Sequence, residues 1–108
     1  MVKKVIKLMK YWNTLNQKVF QSFELEKMVL KAYQNSNMFW GISQNANIKN
    51  SLFQFIEEYL EISYYAAQWK QDKVAKLKET IRMVRTLEQM SRFSYAVAEL
   101  SKVFPSIT

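Results

Sequence analysis

The chain has 108 residues, 49% of them hydrophobic, with one Gly, one Pro, no Cys and no His. A chain of that length forms one domain, residues 1–108, that buries roughly two-thirds of its unfolded surface, and its apolar share argues against disorder. The missing Cys and His argue against a disulfide framework, a thiolate metal centre and a self-contained hydrolase or metalloenzyme. The net charge of +7 points to anionic partners: nucleotide, nucleic acid or an acidic protein surface. It is uneven, because residues 1–31 carry seven lysines against Glu24 and Glu26.

Scarce Gly and Pro favour helix over sheet, since turns between strands draw on both. The expected fold is all-α, a small up-down bundle of four to five helices. A first helix is predicted over 2–15. Val5, Leu8, Met9 and Trp12 recur at the 3.6-residue period, and Lys3, Lys4, Lys7 and Lys10 fall elsewhere. Asn13, Thr14, Asn16 and Gln17 mark its end. A second helix, 22–35, opens at Ser22 as N-cap, with Glu24 and Glu26 suited to the helix dipole. Its buried stripe is Leu25, Met28, Val29, Ala32 and Tyr33. Residues 38–50 hold the bulky Met38-Phe39-Trp40, then Gly41 and a polar loop. A third helix is read over 50–69 through Phe53, Ile56, Leu60 and Ile62. The pattern from Asp72 to Phe104 is helical almost throughout, along Val74, Leu77, Ile81, Val84, Leu87 and Met90. It divides into helices at 72–90 and 92–104, or continues as one if Ser91 and Ser94 do not break it. Lys7 and Lys10 interrupt the N-terminal apolar run, and no stretch approaches the ~20 apolar residues of a membrane span. No membrane partner and a cytoplasmic location are expected.

Catalytic constellations are missing. There is no Gly-Ser turn followed by an Asp-x-Asp pair, and Asp72 is the only aspartate. Two-metal phosphoryl transfer needs carboxylates clustered around both ions. There is no Walker loop, zinc spacing or nucleophile–base pair. No catalytic or metal-binding residue is therefore assigned.

Binding residues are easier to place. Lys10 stands in LMKYW near the end of the first helix, and Ser22 and Phe23 stand in QSFELE at the start of the second. A helix N-terminus with a free hydroxyl is an anion site, a lysine is a phosphate point charge, and a flat ring stacks on any base. Each also has a plainer role: Lys10 as surface, Ser22 as cap, Phe23 as core.

In this order, over residues 5–33, these features resemble the start of the helical C-terminal half of template-independent nucleotidyltransferases. That group holds oligoadenylate synthetase, cyclic GMP–AMP synthase and the bacterial cyclic-oligonucleotide synthases. YAVAELSKVFP is similar to the group's closing helix, and 38–72 has no detailed match. The resemblance implies that Lys10 and Ser22 meet the triphosphate and Phe23 stacks on the base, where relatives more often carry tyrosine. It also implies that Mg2+ and a nucleoside triphosphate enter only with a catalytic half, in the same or a separate chain, without which this domain is inactive. Two rival readings come from the residues alone. One is a basic helical module on nucleic-acid phosphates; the other is a helical interaction module using Met38-Phe39-Trp40.

Overall fold

The computed structural model describes residues 2–35 and 48–107, and over these the chain is all-α, with five α-helices and no strand. It divides into two compact units, Met1–Leu60 and Glu61–Thr108, where the sequence reading has one domain.

In the first unit, α1 (Val2–Leu15) and α2 (Ser22–Asn35) have the bounds that periodicity predicts. Val5, Met9 and Trp12 lie at i, i+4 and i+7 and are buried, as are Leu25, Val29 and Ala32 on α2. The two helices pack on each other as a hairpin. The stripe is narrower than the sequence implies. Leu8 and Met28 are only half-buried, and Tyr33 is exposed, because both helices also flank water.

The turn between them is built without glycine. Gln17 and Lys18 take left-handed φ values of 66° and 56°. The Lys18 N–H donates to the Asn13 carbonyl at 2.8 Å, the six-to-one bond of a helix C-cap that normally favours Gly. Asn13, read from the sequence as marking the end of the first helix, is buried. Its side-chain amide donates to the Phe20 carbonyl at 2.7 Å, and its Oδ1 accepts from the Phe20 N–H at 2.9 Å. One side chain thus satisfies both backbone groups of a buried residue, which otherwise lack partners. Trp12 and Phe20 then pack with ring centroids 6.4 Å apart.

The helix predicted over 50–69 is not one helix. α3 (Ile48–Gln54) passes into a π-helical turn, Phe55–Tyr59, closed by Leu60 N–H donating to the Phe55 carbonyl at 2.9 Å. Leu60 then leaves helical space at φ −73°, ψ 114°. The wider turn serves the core. Leu52, Phe53, Phe55, Ile56 and Leu60 are all buried. Beyond it, Ile62, Tyr64 and Tyr65 are weak helix formers.

In the second unit, residues 61–67 are non-helical and are tied to the next helix by backbone bonds to the Ala67 carbonyl and by the Gln71 side chain. The Gln71 amide donates to the Tyr64 and Ala66 carbonyls at 2.9 and 2.8 Å. α4 therefore starts at Gln68, four residues earlier than predicted, and runs to Gln89. It buries Val74, Leu77, Ile81 and Val84 and packs on α5 (Phe93–Ser101), whose inner residues are Ala96 and Leu100. Leu87 is half-buried and Met90 is exposed, so the buried stripe stops short of these two residues of the predicted one. Ser91 breaks the run at φ 60°. The Arg92 N–H bonds the Leu87 carbonyl at 2.8 Å, and the Ser91 N–H bonds Glu88 at 3.0 Å. That pair is a Schellman cap with serine in the usual glycine place, and it rules out a single helix from 72 to 104. A 3-10 turn, Pro105–Ile107, follows the buried Phe104.

Candidate functional site: the outer face of the first helical hairpin

Lys10 sits on the half-exposed flank of α1, and its ammonium forms an ion pair with the Glu26 carboxylate of α2. The two side chains are 40% and 43% exposed. Glu26 lies four residues after Ser22, and residues four apart share a helix face. The ammonium of Lys10 therefore reaches the face of α2 that Ser22 opens, one turn further along.

Ser22 is exposed and is the first residue of α2 rather than its cap. The first helical bonds go instead to the Gln21 carbonyl, which accepts from the Glu24 N–H at 3.0 Å and the Leu25 N–H at 3.3 Å. The Ser22 hydroxyl has no hydrogen-bond partner among the described residues. Its backbone N–H belongs to the first turn, where amide donors have no partner within the helix.

Phe23 is 57% exposed, so the core role is not the one it takes. The Lys27 ammonium stands 5.4 Å from the ring centroid, one turn along the helix. A cation over an aromatic face at that separation is a favourable pair. The hairpin thus carries a lysine, a hydroxyl and an open ring within about one turn of α2.

Two neighbours of these residues escape sequence reasoning. Glu26 reads there only as an acid that suits the helix dipole, and Lys27 is not singled out. The signal for both is the i, i+4 spacing, Ser22 to Glu26 and Phe23 to Lys27. The exposed Lys10–Glu26 pair is worth roughly 0.2–1 kcal/mol, so a more highly charged anion can replace the carboxylate on the ammonium at little cost.

No group of three or more metal-ligating side chains gathers among the described residues. Glu57 and Glu58 project from the π-helical turn as exposed side chains. Met38-Phe39-Trp40, the basis of the interaction-module reading, lies outside the described residues. No described helix is long and apolar enough to cross a membrane.

No protein-family model, no curated protein and no solved structure matches this chain.

Proposed function

We propose that the first hairpin forms one wall of a nucleotide cleft in a nucleotidyltransferase that makes oligonucleotides or cyclic oligonucleotides. Lys10 and Ser22 would take the triphosphate, and Phe23 would take the base. The observation that carries this reading is the Lys10–Glu26 pair, which brings the ammonium to the α2 face headed by Ser22, whose hydroxyl has no partner among the described residues, while Phe23 stays exposed. A triphosphate carries more negative charge than the single Glu26 carboxylate, so by Coulomb attraction it competes for the ammonium. The metal-binding carboxylates, and with them the chemistry, would come from a catalytic half.

The reading is tested on the chain by NMR titration with a nucleoside triphosphate. Shifts are expected at the Ser22, Phe23 and Glu24 amides. Lys10→Ala should weaken the response, and Phe23→Ala should lower affinity by about 1–3 kcal/mol if the ring stacks. Phe23→Tyr should be tolerated. Unmoved Ser22 and Phe23 amides at millimolar triphosphate, or equal affinity in Lys10→Ala, would remove the nucleotide-cleft assignment.

A further inference from the structure

α1 carries Lys3, Lys4, Lys7 and Lys10 and no acidic residue. Only Lys10 is neutralised, by Glu26. Lys3, Lys4 and Lys7 are exposed, and none has an ion-pair or hydrogen-bond partner among the described residues. Residues three and four apart share a helix face. Lys3, Lys7 and Tyr11 follow one another at i, i+4 and i+8, and Lys4 stands three residues before Lys7. Tyr11 is 42% exposed at the end of this row. The opposite stripe, Val5, Met9 and Trp12, is buried.

We propose that this face of α1 binds single-stranded nucleic acid, with the three lysines on backbone phosphates and the Tyr11 ring stacked on a base. Charge complementarity selects a polyanion. The buried apolar stripe argues against a lipid surface, because an interfacial helix needs that stripe free to enter the headgroup region. From Lys3 to Tyr11 the row extends about 12 Å at 1.5 Å per residue. Lysines combined with a flat ring form a sequence-tolerant single-strand surface, whereas a duplex keeps its base faces stacked and leaves Tyr11 idle. The exposed residues of α1 include no Arg, Asn or Gln to read base edges. None of Lys3, Lys4, Lys7 and Tyr11 belongs to the nucleotide rim, so this proposal stands or falls independently of that one.

The test is fluorescence anisotropy with a labelled oligothymidylate of about 16 nucleotides. Three phosphate contacts give a slope of log K against log salt of about −2, hence a loss of roughly 20-fold between 50 and 200 mM NaCl. The combined Lys3→Gln, Lys4→Gln and Lys7→Gln variant should lose most of this slope and bind weakly even in low salt. A control with the same charge change, Lys76→Gln, Arg82→Gln and Arg92→Gln, alters exposed residues of the second unit and should bind like the wild type. Tyr11→Ala should keep the slope and lose at least about five-fold in affinity. Circular dichroism checks that every variant is folded. The proposal is overturned by no binding of the wild type in low salt. Equal losses in the two triple variants would overturn it too, since net charge then explains the binding. So would a duplex that binds as tightly as the single strand with no effect of Tyr11→Ala. Capture of phosphatidylserine vesicles through the same lysines, in place of the oligonucleotide, would also overturn it.

Discussion

Asn13→Ala isolates the contact that closes the first hairpin. Asn13 and Phe20 are both buried, and the side-chain amide makes two bonds to the Phe20 backbone, at 2.7 and 2.9 Å. Alanine leaves that N–H and carbonyl buried without partners, at about 1–3 kcal/mol each. The better helix propensity of Ala returns roughly 0.6 kcal/mol. The expected net loss is about 1.5–5.5 kcal/mol, large against the stability of a small domain. Asn13→Asp should be at least as damaging at neutral pH. It keeps an acceptor for the Phe20 N–H but sets a carboxylate oxygen against the Phe20 carbonyl. Urea unfolding followed by circular dichroism gives the stability change, and hydrogen exchange of the Phe20 amide reads the bond itself. That amide should be protected in the wild type and exchange much faster in Asn13→Ala. A stability change under about 0.5 kcal/mol with unchanged Phe20 exchange would refute the reasoning.

Trp12→Ala and Leu25→Ala remove buried side chains from the facing stripes of α1 and α2. They should cost about 3–5 and 2–5 kcal/mol in denaturant unfolding; unchanged midpoints would mean that the helix faces are reversed. The Ser51 hydroxyl is fully buried with no hydrogen-bond partner among the described residues. Ser51→Ala should therefore be neutral or stabilising by up to about 1 kcal/mol, and a clear drop in melting temperature would reveal a partner. Ser91→Gly relieves a left-handed residue at φ 60° in a Schellman cap. It should raise stability by up to about 1 kcal/mol, whereas Ser91→Val should lower it, both by thermal unfolding.

The sequence alone determined the hairpin. α1 and α2 end at Leu15 and Asn35, within a turn of the last residues of their predicted stripes, Trp12 and Tyr33, because each helix is a single amphipathic stripe that local spacing describes. It also determined the all-α class, since one Gly and one Pro leave little material for sheet turns. Tertiary structure decided what depends on residues far apart or on backbone geometry. The third predicted helix stops at Tyr59, where a π-helical turn closes and Leu60 turns to an extended conformation, a backbone change that no periodicity shows. α4 begins early because its first helical bonds close on the Ala67 carbonyl, and the Gln71 amide ties the Tyr64 and Ala66 carbonyls just upstream. Asn13 reads as a polar turn residue until Phe20 folds back onto it. At the candidate site, residue types and order named Lys10, Ser22 and Phe23, but Glu26 as the partner of Lys10 emerged only when two helices were set side by side. A charge pair across sixteen residues of chain is fixed by how the helices pack, and the sequence records only its two ends.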